Sequence, residues 1–496
     1  MESNLSNAQL KAGAVLEMRR RKRVRMRESL ETFLLEDGRG NWQTAKHLKY
    51  LISKLETFVK DVEEGRSPRL IITMPPRHGK SEVTTKKFPA WVLGNHPEWE
   101  MIVGSYSADL AEKFSRICRD TFEEHENVFG VKLSKNSSSV KEWGIEEHRG
   151  VLAATGVGGS ATGKGAHIAI IDDPFKNREE ANSHLKRERV WDWYKSTIRT
   201  RLAPGGGMVV IQTRWHDEDL AGKLMKAMKE EGGEEFELIN LPAIAEERDI
   251  LGREVGEPLW PERFPLDELM KTKRAVGRLE WASLYQQKPT VDGGSIMRRK
   301  DFRYFKYNDQ YLEIVEEDRT RKVFIKDCIS FQTIDTAQKT GKTNDDTAIA
   351  TWLADKQANL YLIDMFLEKI EVPDQWKKIK ELKGRWNVVF QACEDKASGI
   401  GLIQQAKREG SPLKVLKADT DKVTRSIPFS IMLENGKVFF NSRMINLDKV
   451  EEQLLKFPNV AHDDAVDVCS YGAIIVQSGR YGSGRGIAVN KPIIAI

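Results

Sequence analysis

Apolar positions return along this chain in two distinct rhythms. Over residues 1–60 Leu48, Leu51, Leu55 and Phe58 recur at helical spacing, and the segment reads as helical. Four short apolar runs follow: Arg69-Leu-Ile-Ile-Thr-Met, broken by Pro75-Pro76; Met101-Ile-Val-Gly-Ser-Tyr, followed by a helical stretch through Phe122; His167-Ile-Ala-Ile-Ile; and Met208-Val-Val-Ile-Gln-Thr. Near-continuous apolar strands alternating with helices predict a mostly parallel sheet covered on both faces. From about Pro242 the texture changes, and Pro258, Pro261, Pro265, Pro289 and Gly293-Gly294 predict a connector. A second series starts near Ile329 with Ser330-Phe-Gln-Thr-Ile-Asp, Thr347-Ala-Ile-Ala-Thr-Trp-Leu, Leu360-Tyr-Leu-Ile-Asp-Met-Phe and Val388-Val-Phe-Gln-Ala-Cys. Three adjacent strands followed by strand–helix alternation predict an α/β unit with mixed pairing. The stretch from Ser478 to Gly486, rich in Gly, Ser and Arg, predicts a mobile tail.

With 496 residues the chain exceeds one ordinary core. The expected division is a helical lead-in with a basic arm (1–60), a first α/β domain (61–255), a connector (256–310), a second α/β domain (311–477) and a flexible tail (478–496). Net charge is only +5, so the distribution of charge says more than its sum. Arg19, Arg20, Arg21, Lys22, Arg23, Arg25 and Arg27 form a dense cationic run suited to phosphate neutralisation, or equally to a solvated helix end. Cys118, Cys328, Cys393 and Cys469 are scattered, with no CxxC pair, which argues against a disulfide framework or zinc knuckle and for a reducing compartment. No stretch has the apolar length of a membrane span, and Glu2, Asn4 and Asn7 do not make a secretory leader. A cytoplasmic protein is expected.

The first chemical signal is Met74-Pro-Pro-Arg-His-Gly-Lys-Ser, which follows a strand and precedes a helical segment, as a phosphate loop does. The set Arg77, His78, Gly79, Lys80, Ser81 and Glu82 is expected to bind nucleotide. Gly79 lets the backbone approach phosphates, Lys80 faces the β and γ phosphates, and the Ser81 hydroxyl can ligate Mg2+. The tripeptide alone is a weak signal. The strand His167–Ile171, ending in Asp172-Asp173, strengthens it: Asp172 would complete the Mg2+ site and Asp173 would orient the attacking water of an ATPase. Arg77 inside the loop could touch the γ-phosphate, and Thr213, after the fourth strand, stands where a γ-phosphate sensor would. The following Arg214-Trp-His-Asp-Glu-Asp could couple hydrolysis to motion.

The second signal is a set of acids. The strand from Ser330 runs into Asp335, and the strand from Val388 runs into Glu394. His462-Asp-Asp-Ala-Val-Asp-Val-Cys then begins a helix, with Asp463 or Asp464 as its cap and Asp464 and Asp467 on one face. Acids arriving from two strand ends and one helix could hold a pair of Mg2+ or Mn2+ ions roughly 4 Å apart, the need of two-metal phosphodiester cleavage. The expected ligands are Asp335, Glu394, Asp463, Asp464 and Asp467, with Asp335, Glu394 and Asp464 as the catalytic core. The order strand-Asp, strand-Glu, helix-Asp fits a ribonuclease-H-like nuclease.

Together these stations resemble the large terminase subunit of tailed double-stranded DNA phages. The resemblance rests on Lys80-Ser81, Asp172-Asp173, Thr213-Arg214-Trp215-His216, and the segment Gly156-Val-Gly-Gly-Ser-Ala-Thr-Gly-Lys-Gly. It rests also on Trp281-Ala-Ser-Leu-Tyr-Gln-Gln-Lys-Pro, Asp335, Glu394-Asp-Lys-Ala-Ser-Gly and His462-Asp-Asp-Ala-Val-Asp, and it covers about residues 40 to 475. It implies a P-loop ATPase domain with a mostly parallel sheet, then a ribonuclease-H-like nuclease domain with a mixed sheet. It implies ATP-driven translocation of double-stranded DNA into a procapsid and metal-dependent cleavage of concatemers. The implied partners are a portal protein, a small terminase subunit and copies of itself in a ring, by resemblance a pentamer. The implied place is the cytoplasm of the infected bacterial host, transiently on the procapsid and absent from the mature virion. Arg116, Arg119 and Arg149 are candidates for an arginine finger, and Gln43 and His47 for an adenine contact. Two departures stand out: Met74 replaces the usual first glycine of the loop, and the acidic pair is Asp-Asp where the family has Asp-Glu, which leaves Glu179 or Glu180 as substitutes. The rival readings are a P-loop helicase or translocase lacking nuclease activity, a resolvase-like nuclease with an idle phosphate loop, and a DNA-binding scaffold without turnover.

Overall fold

Neighbouring residues of each early apolar run pack into opposite cores. Leu70, Ile72, Met101, Val103, Ile168, Ile170, Val209 and Ile211 join one hydrophobic cluster, while Ile71, Ile102, Ala169, Ile171, Met208 and Val210 join another. This alternation is the signature of a sheet buried on both faces. A computed structural model of the chain describes residues 7–160, 165–289, 295–316, 319–336, 346–395, 397–417, 419–460 and 462–479. Of the sequence expectations, those on Glu2 and Asn4, on 161–164 of the glycine-rich segment, on Gly293-Gly294, on Lys396 and on the tail beyond Gly479 lie outside the described residues.

The chain forms two units, Met1–Lys271 with Glu280–Thr290, and Thr272–Leu279 with Val291–Ile496. In the first, strands β1 (Arg69–Thr73), β2 (Glu100–Ser105), β3 (Leu133–Ser138), β4 (Glu142–Ile145), β5 (Val151–Gly156), β6 (Ala166–Asp172), β7 (Leu202–Gln212) and β8 (Glu237–Asn240) form a sheet of order β3-β4-β5-β2-β6-β7-β1-β8. The pairs from β5 to β8 are parallel, and β3 and β4 add an antiparallel edge. Register sets the site. Thr73 pairs with Gln212, and Asp172 pairs with Ile211, so the ends of β1, β6 and β7 lie at one rim.

The expected helical lead-in is three helices, Asn7–Glu28, Leu30–Asp37 and Lys46–Glu63. The third buries Leu48, Leu51, Leu55 and Phe58, the residues of the helical rhythm. The cationic run lies on the first helix, largely exposed, with Arg20 and Arg21 beside Glu17. The proline-rich stretch, expected to be a connector, is partly core: Leu259 and Trp260 are buried in the first unit. The prolines themselves stay exposed or half-buried around these two side chains.

The second unit has β9 (Arg303–Tyr307), β10 (Tyr311–Glu316), β11 (Arg319–Phe324), β12 (Ile329–Asp335), β13 (Thr347–Ala354), β14 (Leu360–Glu368), β15 (Phe390–Glu394), β16 (Lys414–Leu416) and β17 (Val438–Asn441), in the order β11-β10-β9-β17-β14-β13-β12-β15-β16. The β12–β13–β14 meander is antiparallel, whereas β12–β15 and β15–β16 are parallel. The sheet is mixed, as expected. Ile334 pairs with Cys393, which puts Asp335 and Glu394 side by side at the next position. The helix Asp464–Gln477 is nearly all buried and is tied to β12 by the Thr333 hydroxyl, which donates to the Val468 carbonyl at 2.8 Å. Thr272–Leu279 packs here: Glu434 accepts from the Arg278 N–H at 3.0 Å. Cys118, Cys393 and Cys469 are buried free thiols, and no helix among the described residues is long and apolar enough to cross a membrane.

Candidate active sites

After β1 the chain turns through Arg77 and Gly79, both with positive φ, of 61° and 92°. At Gly79 a Cβ would also come within 3.0 Å of Leu48, so the position suits glycine twice over. The turn delivers Lys80 and Ser81 to the rim where β6 and β7 end. The Lys80 ammonium lies 2.9 Å from Asp173 and donates to the Thr213 hydroxyl at 2.8 Å. The Ser81 hydroxyl donates to Asp172 at 3.1 Å, and the Thr85 hydroxyl donates to its other oxygen at 2.6 Å. Asp173 has φ 44° and accepts the Thr213 N–H at 2.8 Å. Asp172 is fully enclosed, and burial, followed by the charge of Asp173, pushes its carboxyl up to about 6 against the pull of Lys80, Thr85 and Ser81. A buried carboxylate with two hydroxyl partners beside a lysine is the donor set that a nucleotide-bound magnesium ion needs.

A cavity of about 720 Å3 opens from this rim, lined by Gln43, Trp42, Arg77, Lys80, Ser81 and Glu82 among others. His47 and His78 stand elsewhere. His47 is fully buried, with its Nε2 2.9 Å from the His78 carbonyl, and the His78 ring stacks on Phe264 at 4.6 Å. Both imidazoles brace the loop from behind. Burial pushes each of them down to about 4. Asp173, not Glu179 or Glu180, is the acid that meets Lys80; the two glutamates lie on the short helix Arg178–Asn182, where Glu180 accepts the Lys176 N–H. Arg116 and Arg149 are exposed, and Arg119 donates to the Ser138 carbonyl at 2.8 Å.

Beyond Thr213 the chain knots around a buried ion pair. Arg214 Nε lies 3.0 Å from both oxygens of Asp219, which also accepts N–H groups of Trp215 and Gly222. Gln287 accepts the Arg214 N–H at 3.2 Å, and Gln286 bonds both backbone groups of Ile244 at 3.0 Å. Arg178 joins Glu280 to the Trp215 carbonyl. The Gln-Gln segment thus grips the loop that starts at Thr213.

The second centre lies in the other unit. Asp335 and Glu394 end adjacent strands and share a hydrogen bond; burial, then Glu394, Asp467 and Asp464 in turn, push the Asp335 carboxyl well above the usual range. Asp464, 4% exposed, accepts the Asp346 N–H at 3.1 Å. The Tyr471 hydroxyl donates to Glu394 at 2.7 Å. Asp467 is paired with Arg425 and with Lys422, and Asp463 lies 2.5 Å from Lys422. Mutually repelling buried acids at the ends of two strands and one helix fit a divalent ion chemically. Lys422, Arg425, Tyr471 and Thr85 escaped the sequence reading. Arg425 sits in the helix Lys422–Glu434 and Tyr471 in the buried helix Asp464–Gln477, and only contact reveals their part.

Fold and sites together define a P-loop nucleotide hydrolase continued by a ribonuclease-H-like nuclease. Residues 71–304 match the family model "Terminase large subunit, T4likevirus-type, N-terminal", and residues 332–474 match "Terminase RNaseH-like domain". The chain belongs to the large terminase subunit family and is an ATP hydrolase and DNA endonuclease of viral genome packaging. No curated protein matches it. Solved structures similar to it include the large terminase of a thermophilic bacteriophage (9% identity, 85% of this chain and 95% of that one, TM-score 0.43). Another is the HK97 bacteriophage large terminase (11% identity, 84% and 94%, TM-score 0.35). A third is the magnesium-bound large terminase nuclease of thermophilic phage G20c (12% identity, 36% and 96%, TM-score 0.25).

Proposed function

We propose that Lys80, Ser81, Asp172, Asp173 and Thr213 form the ATPase centre that drives duplex DNA into a procapsid, and that Asp335, Glu394 and Asp464 form the centre that cuts it. The observation that carries the reading is the pair of separate acid centres, each at strand ends: one faces a phosphate loop, the other does not.

Lys80 would release Asp173 when phosphates arrive, because its ammonium then has a stronger partner. Asp173 would hold the attacking water, and Thr213 would report the terminal phosphate through the knot it begins. Arg77 faces the cavity and would meet the same phosphate. Trp42 and Gln43 also line the cavity and would take the base, with Glu82 on its wall. Ser81 and Asp172 would hold a magnesium ion, which when bound neutralises charge on the transferring phosphoryl group. Asp335, Glu394 and Asp464 would hold Mg2+ or Mn2+, which when bound activates water for phosphodiester cleavage.

The implied partners are double-stranded DNA, a portal protein, a small terminase subunit and further copies in a ring, with the pentamer as the expected count. The expected place is the host cytoplasm and, transiently, the procapsid. DNA contacts should fall mostly on phosphate, so affinity should drop steeply with salt.

The test uses the full chain with Mg-ATP and plasmid DNA. Lys80→Ala should abolish ATP turnover and spare Mn2+-dependent cleavage; Asp335→Asn should do the reverse. ATP turnover that survives Lys80→Ala, or cleavage that survives Asp335→Asn, would sink the corresponding half.

A further inference from the structure

The cutting centre contains two cations where the sequence pattern leads one to expect only acids. Lys422 and Arg425 stand one turn apart on the helix Lys422–Glu434, whose first turn is capped by Asp421 through the Thr424 N–H. Arg425 is almost wholly enclosed. It pairs with one oxygen of Asp467, reaches Glu394 at 3.8 Å, and lies over the Tyr471 ring at 5.2 Å. Lys422 is partly exposed, 3.0 Å from the other oxygen of Asp467 and 2.5 Å from Asp463. Both Asp467 oxygens therefore face positive charge.

Two divalent ions roughly 4 Å apart need carboxylates for each, and commonly one acid between them. Asp335, Glu394 and Asp464 suffice for one ion. The remaining acids, Asp463 and Asp467, are those that Lys422 and Arg425 hold. An ammonium at this place also repels a second dication directly.

We propose that Lys422 and Arg425 replace the second divalent ion of the nuclease centre. The centre then loads a single ion on Asp335, Glu394 and Asp464, and the Lys422 ammonium supplies the second positive charge toward the DNA backbone. This proposal departs from the ligand set expected from sequence, by assigning Asp463 and Asp467 to cations of the chain itself. It rests on the nuclease reading above.

Mn2+ titration of the nucleotide-free full chain, followed by electron paramagnetic resonance, tests it. The unaltered chain should bind one ion in this centre, with the spectrum of an isolated spin. Lys422→Gln should admit a second ion at least about tenfold more tightly, since one nearby positive charge is removed, and the two spins should then couple. Lys422→Arg should restore the single ion. Arg425 is buried and its removal threatens folding, so Lys422 carries the test. Two coupled ions in the unaltered chain, or one ion in Lys422→Gln, would overturn the proposal. A number of bound Mn2+ ions left unchanged by Asp335→Asn would instead sink the nuclease reading.

Discussion

Tyr471→Phe isolates one hydrogen bond of the cutting centre. The ring is buried at 1% exposure and stays in place in the variant, so the packing of its helix is kept. What disappears is the hydroxyl that donates to Glu394 at 2.7 Å. A hydrogen bond to a charged group contributes about 1.5–3 kcal/mol. Since about 1.4 kcal/mol is a factor of ten in rate, its full loss from the working geometry predicts cleavage slowed about 10- to 100-fold. Arg425, at 3.8 Å, is too far to take over the bond. The assay is conversion of supercoiled plasmid with Mg2+ or Mn2+, run beside ATP turnover on the same preparation and a thermal melt. ATP turnover should stay within about twofold, because the phosphate site is built from other residues. Unchanged cleavage with an intact melt would show that the hydroxyl does not position Glu394. Parallel loss of both activities would show that the change disturbs more than this centre.

Other substitutions probe the first unit. Asp219→Ala leaves the Arg214 guanidinium buried without its carboxylate and should lower stability by about 3–5 kcal/mol; calorimetry should show one transition falling, and an unmoved transition would refute the knot. His47 and His78 predict a pH effect of definite sign. Their folded values, about 4, lie below the unfolded value of about 6.5. The unfolded chain therefore binds protons first as pH falls, and the stability present above pH 6.5 is lost toward pH 4, by up to about 3 kcal/mol per histidine. Denaturation midpoints measured from pH 7 to pH 5 should fall, and should fall less in His78→Gln; a flat profile would contradict the burial argument. Thr85→Val removes a hydroxyl from Asp172 and should raise the Mg2+ concentration needed for ATP turnover about tenfold, by the same scale of about 1.5 kcal/mol.

The strands that carry chemistry were legible because each is apolar and ends in a charged residue, as at Asp172, Asp335 and Glu394. The helical rhythm of Leu48 to Phe58 was equally plain, since four buried positions on one face leave little choice. The antiparallel edge β3–β4 was not legible: Leu133–Ser138 is largely polar and half-exposed, and its strand state comes from pairing with β4 rather than from its own pattern. Leu259 and Trp260 were hidden by the prolines around them. His47 and His78 were placed near the nucleotide by their positions in sequence, yet the fold turns both rings inward. Lys422 and Arg425 carry no motif of their own, and only the packing of their helix against Asp464–Gln477 brings them among the acids. Pairing in space across about forty residues of sequence leaves no local mark.

The path of the chain between its two units has a genetic consequence. Thr272–Leu279 belongs to the second unit, and Glu280–Thr290 returns to the first, where Tyr285, Gln286 and Gln287 bond Ala243, Ile244 and Arg214. A single recombination joint therefore cannot exchange one unit between relatives cleanly. A joint before residue 272 gives the first core a foreign glutamine clasp, and a joint after residue 290 gives the second core a foreign Arg278 for its Glu434. Hybrids that swap whole activities should need paired joints around this stretch, or matched residues on both sides of it.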